Sequence, residues 1–171
     1  MPASGHTVEL VTTKEIELFL PTMKELADDF GDRFLLAMLH WCGIGGRPAP
    51  LEFWQVFLIR TLGEIVGISG LYRQPESPAQ LCWLGWFAVR PKFRRKGFGS
   101  AAIHATVDYA RTMGCKELWV YTGASDEAAR HFYTKVGFEL LGSAWDSAPG
   151  KTIDDSDIVL KLRLDVSKPE L

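Results

Sequence analysis

Val89-Arg90-Pro91-Lys92-Phe93-Arg94-Arg95-Lys96-Gly97-Phe98-Gly99-Ser100 joins two stretches of different character, and that junction decides the fold. Before it, Leu81 to Val89 is almost wholly apolar, as expected for a strand buried on both faces. After it, about Phe98 to Met113 reads as a helix whose small residues Ala101, Ala102, Ala105 and Ala110 allow close packing on a sheet. A helix entered directly from a strand presents unpaired N–H groups and a partial positive charge at its start. Gly97 and Gly99 let an anion approach the backbone, while Arg94, Arg95 and Lys96 add mobile positive charge. The combination suits a diphosphate. A solvated basic turn is the competing reading, because short basic runs are commonly plain surface. The preceding strand and the two glycines favour the phosphate. No G-K-[ST] follows, and the glycines do not form G-x-G-x-x-G, so neither a Walker loop nor a dinucleotide fingerprint is present.

Upstream, Phe53 to Thr61 and Ile65 to Tyr72 are rich in aromatic and β-branched residues and meet across Leu62-Gly63-Glu64, which predicts a hairpin. Thr7 to Val11 is a short β-like run. From Pro21 to Trp41, Met23, Leu26, Phe30, Phe34, Ala37 and Met38 recur at helical spacing, with Gly31 able to divide the stretch in two. Downstream come a strand over Lys116 to Tyr121 and a helix over Asp126 to Val136. Two closing strands follow, over Phe138 to Leu141 and Ile158 to Leu164. With no repeat and no evident linker, residues 1–171 read as one mixed α/β domain.

Composition narrows the functional classes. The chain has 171 residues, enough for a substantial core, and a hydrophobic fraction of 47%. Nineteen basic against twenty-one acidic residues give a net charge of -2, which predicts no nucleic-acid partner and no membrane surface. No apolar run approaches the roughly 20 residues of a membrane span, and the first residues lack a signal peptide's pattern. Cys42, Cys82 and Cys115 form no CxxC pair, so neither a disulfide nor a structural zinc is expected; a reducing, cytoplasmic setting follows. His6, His40, His104 and His131 have no metal-ligand spacing, and no metal is expected.

Val89-x-Pro91-x-x-Arg94-x-x-Gly97-x-Gly99 resembles the signature of the GNAT superfamily of N-acetyltransferases, in which Q/R-x-x-G-x-G/A binds the pyrophosphate of coenzyme A. Ala129-x-x-Phe132-Tyr133-x-Lys135-x-Gly137-Phe138 is similar to the family's second signature, in the expected order and across a predicted helix and strand. The likeness is strongest over residues 81–141. It implies a GNAT-like acyl-CoA N-acyltransferase fold, with a mixed central sheet of about six to seven strands flanked by about four helices. One position departs: Asp126 stands where the family often has asparagine.

The resemblance also implies chemistry. Acetyl-CoA would be the co-substrate, its pantetheine arm paired with the backbone of Phe87, Ala88 and Val89. The N–H of Ala88 or Val89 would polarise the thioester carbonyl. Arg94, Arg95, Lys96, Gly97, Phe98, Gly99 and Ser100 would hold the pyrophosphate, with Asp126 and Ala129 also at the cofactor. Tyr133 would be the general acid that protonates the departing thiolate. The strand where many members place a glutamate base has Gly85 instead. Glu52, Asp126, Asp146 and His40 are each more simply surface or capping residues, so no base is named. Trp54, Trp83, Trp86 and Trp145 are candidates for lining the acceptor cleft. The expected acceptor is a small-molecule amine. A longer acyl donor, a protein or peptide acceptor, and a non-catalytic coenzyme A-binding regulatory domain remain open, as does a homodimer.

Overall fold

The structure is a computed structural model, and it describes residues 7–12, 24–32, 51–143 and 157–164. Seven strands form one sheet in the order β1-β2-β3-β4-β5-β7-β6. They are β1 (Glu9–Thr12), β2 (Phe53–Thr61), β3 (Glu64–Arg73), β4 (Leu81–Val89), β5 (Glu117–Gly123), β6 (Glu139–Ser143) and β7 (Asp157–Arg163). Only β4 and β5 are parallel neighbours; every other adjacent pair is antiparallel. Three helices occur among the described residues: α1 (24–30), α2 (Phe98–Thr112) and α3 (Glu127–Val136). Past the break at Gly31 the chain is helical again at Asp32, and the rest of the predicted 21–41 helical stretch lies outside the described residues.

Local chemistry accounts for the punctuation. Leu62 and Gly63 both take positive φ (48° and 84°), as a two-residue turn of the right twist requires, and close the β2–β3 hairpin. Gly31, at φ 86°, ends α1, and its N–H returns to the carbonyl of Ala27 at 2.7 Å. The C-cap of α3 is Gly137, after which Phe138 is buried beside Tyr133.

One face of the sheet carries Phe57, Leu71, Cys82, Leu84, Leu118 and Val120 against Ile103, Val107 and Ala110 of α2 and Tyr133 of α3. As the sequence predicts, small residues bring α2 close: Ala102 and Ala110 are fully buried. Beneath them Ser69 of β3 meets Thr106 of α2 at 2.9 Å. Thr106 donates to the carbonyl of Ala102, so Ser69 donates to Thr106, and the buried pair is satisfied. On the other face, Leu26 and Phe30 of α1 cover Val56, Leu58 and Ile68. Further along that face Tyr72, Leu81, Trp83 and Val159 pack together with Trp54 and Trp119.

Two expectations are corrected. The apolar run of β4 is buried on both faces only through Leu84; Trp86 is 36% exposed, because the sheet opens there. Cys82 and Cys115 are joined as a disulfide, 33 residues apart in sequence. An odd cysteine count conceals a pair that only the fold brings together, Cys82 on β4 beside Cys115 at the approach to β5. The expectation that these cysteines form no disulfide therefore fails for Cys82 and Cys115.

Candidate active site

The site is made by a fork in the sheet. β4 and β5 pair at Leu81–Glu117, Cys82–Leu118 and Trp83–Trp119, and there the pairing stops. β5 stays with β7 as far as Gly123, opposite Asp157, while β4 stays with β3. The fork coincides with a bulge. Between Gly70–Gly85 and Ile68–Ala88, β4 spends one residue more than β3, and Trp86 takes a φ of 53°. The extra residue turns β4 away from β5. A cleft of about 300 Å³ results, lined by Tyr72, Leu84, Gly85, Trp86, Phe87, Val120, Tyr121, Thr122, Asp126, Ala129 and Tyr133.

Four of the cofactor-binding and catalytic residues named from sequence thus share one cavity, Phe87, Asp126, Ala129 and Tyr133, together with Trp86 from the acceptor candidates. Phe87 stacks on Phe132, centroids 5.6 Å apart and planes 15° from parallel. Asp126 caps α3, its carboxylate accepting from the N–H of Ala129 at 2.9 Å, so this residue fills the structural part of the family position. Tyr133 is 7% exposed, edge-on to Phe132 and Phe138 at 5.4 and 5.3 Å. Burial pushes its phenol well above the ordinary tyrosine value, and the Asp126 carboxylate adds to that shift.

Past the fork, Val89 leads through a turn of 3-10 helix (Pro91–Phe93) to α2. Arg95 and Gly97 both hold positive φ, 60° and 88°, so the chain curls before the helix begins at Phe98. Gly97 is the N-cap and no side chain caps this end, leaving the first turn's N–H groups directed at whatever approaches. Two of the three predicted mobile charges are tied back: Arg94 Nε donates to the Val89 carbonyl at 2.8 Å and Lys96 Nζ to that of Lys92 at 2.9 Å. They hold the loop's shape as well as giving it charge. Phe98 packs edge-on to Phe93, and Ser100 lies in the first turn of α2. Gly99 serves packing, since an added Cβ would stand 3.3 Å from the Phe132 ring.

The backbone direction of β4 separates Ala88 from Val89. The Arg90 N–H donates to the Val66 carbonyl at 2.9 Å. In an antiparallel ladder the next residue that faces the partner is Ala88, whose carbonyl packs against Gly67. Val89 turns its backbone groups the other way, which is why its carbonyl is available to Arg94.

Arg90 anchors this junction from behind. Its guanidinium donates to Asp29 of α1, to Glu25 at 2.6 Å and to the Ile65 carbonyl at 3.5 Å. Sequence reasoning passed over Arg90, and it missed Tyr72, Tyr121 and Thr122. The end of β5 next to a predicted β4 carried the signal for Tyr121, but the fork that exposes it leaves no motif. Of the tryptophans, Trp86 lines the cleft, Trp83 stands behind Tyr72, Trp54 packs against that cluster and Trp145 lies outside the described residues. Among the groups weighed as bases, Glu52 is 3.8 Å from Arg73 and absent from the cleft lining; Asp146 and His40 lie outside the described residues. No helix among the described residues is long and apolar enough to cross a membrane.

Known proteins share this architecture. A GNAT family acetyltransferase from Elizabethkingia anophelis, solved with acetyl-CoA bound, superposes with a TM-score of 0.55 at 20% identity, over 92% of this chain and 97% of that one. The ribosomal-protein-S18-alanine N-acetyltransferase from Escherichia coli gives a TM-score of 0.61 at 17% identity, over 96% and 99%. In sequence, the uncharacterized N-acetyltransferase YycN of Bacillus subtilis (strain 168) is 32% identical over 76 residues, 44% of this chain and 49% of that protein. A second Bacillus subtilis relative, YdgE, is 28% identical over 88 residues, 52% of this chain and 55% of that protein. The chain thus spans about half the length of the curated relatives it matches. Residues 16–138 match the Acetyltransferase (GNAT) family, and with both signatures meeting at one forked sheet, the chain belongs to that family.

Proposed function

We propose that the protein transfers the acetyl group of acetyl-CoA to a primary amine on a small molecule. The observation that carries this reading is the cleft lined by Tyr133 and the opened edge of β4, with the uncapped start of α2 joined to it by Gly99 against Phe132 and by Phe132 stacked on Phe87.

The residues fit the cofactor. The curled Arg94–Ser100 segment offers backbone donors and cations to a pyrophosphate, and the fork is open along β4 for a slim, hydrogen-bonding arm. Acetyl-CoA supplies an already activated thioester, so the protein's work is orientation and the handling of charge. The N–H of Val89, turned away from β3, is the group best directed to stabilise the carbonyl oxygen as charge builds on it. Phe87 closes the donor side by its stack on Phe132. Tyr133 is the general acid. A phenol held so firmly protonated gives up its proton only as the C–S bond breaks and the sulfur becomes basic; the proton lost from the attacking nitrogen replaces it. Asp126 sets the start of α3 and so the position of Tyr133.

Binding and turnover test separate parts of the reading. Acetyl-CoA at about 100 times its Kd stabilises a specific binder by about 2.7 kcal/mol, or about 5–10 °C in Tm for a domain of this size. No shift would refute the donor site. Thiol release measured over simple amines, polyamines, amino acids, aminoglycosides and peptides tests transfer. Turnover confined to peptides would overturn the small-molecule acceptor.

A further inference from the structure

The donor machinery accounts for one side of the cleft and leaves the other side with a distinct chemistry. Leu84, Phe87 and Tyr133 belong to the sheet face under α2 and α3, whereas Tyr72 and Trp83 belong to the opposite face. Tyr72 stacks on Trp83 with centroids 6.2 Å apart and planes 17° from parallel. Trp83 is edge-on to Tyr121 at 6.3 Å, which fixes Tyr121 at the mouth, where it is 42% exposed. Trp86, set out by the bulge, completes the wall. The Tyr72 hydroxyl donates to that of Tyr121, and the Asp157 carboxylate acts on Tyr121 from the end of β7. Gly85 contributes no carboxylate where the wall meets the fork.

An aromatic wall with Asp157 at its edge favours a particular ligand; Asp126, the other carboxylate at the cleft among the described residues, caps α3 on the donor side. Aromatic faces attract a cation and bury an apolar body, while a single negative charge holds one ammonium. A polyamine needs several carboxylates, and an acidic ligand is repelled. A donor lying along β4 from the α2 side leaves its acyl carbon open to approach from this wall.

We propose that Tyr72, Trp86 and Tyr121, with Asp157 at their edge, form the acceptor subsite, and that it selects a primary amine carried on an aromatic or apolar body, which binds as its ammonium and loses one proton to bulk water before the neutral nitrogen attacks. The proposal rests on the transferase reading of the cleft for its place in catalysis, but its recognition chemistry can be measured by binding alone.

The test is calorimetry on the full chain loaded with coenzyme A, using 2-phenylethylamine, spermidine and an alanine-initiated tripeptide as probes. 2-Phenylethylamine binds tightest. Asp157→Asn and Trp86→Leu each weaken it about tenfold, leave acetyl-CoA affinity unchanged and raise KM more than they lower kcat. Both positions are at least partly exposed, so the fold is kept, and an unchanged Tm verifies it. Preference for spermidine or the tripeptide, or undiminished 2-phenylethylamine affinity in both variants, overturns the subsite. Binding that the variants weaken, without turnover of any amine, upholds the subsite and refutes the transferase reading instead.

Discussion

The ring of Phe132 lies against Gly99: a methyl group placed on that glycine would be 3.3 Å from Cε2 and 3.6 Å from Cζ of the ring, with a Val89 methyl at 3.8 Å. The contact joins the first turn of α2 to α3, and so joins the two segments by which the family is recognised. Gly99→Ala forces the ring to give by a few tenths of an ångström and is tolerated. Gly99→Val overpacks the contact at a cost of about 1–3 kcal/mol. Thermal unfolding with and without acetyl-CoA checks both, and the Val variant should lose more of the ligand-induced gain than the Ala variant.

Removing one oxygen from Tyr133 isolates its chemistry. Tyr133→Phe keeps the edge-on contacts with Phe132 and Phe138, so stability and acetyl-CoA binding hold while kcat falls by about 10²–10⁴. Steady-state kinetics with a saturating amine decides it; undiminished kcat would remove Tyr133 from proton transfer.

The buried phenols set the alkaline limit of stability. Burial raises Tyr72 and Tyr133 above the ordinary value of 10.0, so the folded chain retains two protons that the unfolded chain gives up near that pH. Their contribution is intact below about pH 10 and declines as pH rises beyond it, by up to about 1.4 kcal/mol per pH unit for each phenol. Urea unfolding between neutral pH and pH 11 should show that decline. Tyr133→Phe should make it shallower.

Arg90 holds the loop to α1 through two carboxylates of unequal exposure, Asp29 at 26% and Glu25 at 59%. Exposure discounts the outer pair. Glu25→Gln should cost under about 1 kcal/mol and Asp29→Asn about 1–2 kcal/mol. Arg90→Gln strands both acids and should exceed either. Denaturant midpoints at low and high salt rank the three.

The cysteines give a chemical test. With Cys82 bonded to Cys115, protein unfolded without reductant exposes a single thiol, Cys42, and reduction raises the count to three. The crosslink closes a loop of 33 residues, worth about 3–4 kcal/mol through the unfolded chain. Thiol titration and the Tm of Cys115→Ser check these two statements.

The order of elements was readable because it is written locally. The span of β4 follows from an unbroken apolar run, the start of α2 from Gly97 and the end of α3 from Gly137. Tyr133 was found because its helix carries a motif. What escaped depends on distant partners. The fork needs the one-residue mismatch between β3 and β4, which no alternation in β4 alone reveals. Cys82 finds Cys115, and Arg90 finds Asp29, only after residues far apart in sequence have been folded together.

The fork can be pictured as shears whose blades are β4 and β5. Cys82–Cys115 is the rivet, set in the closed part: Cys82 stands on the middle of the three paired rungs and Cys115 two residues before the first. Without it, three rungs alone would resist a wedge driven between the blades. With it, the closed end is also pinned by a covalent bond. A ligand entering the opening then has no paired strand to prise apart.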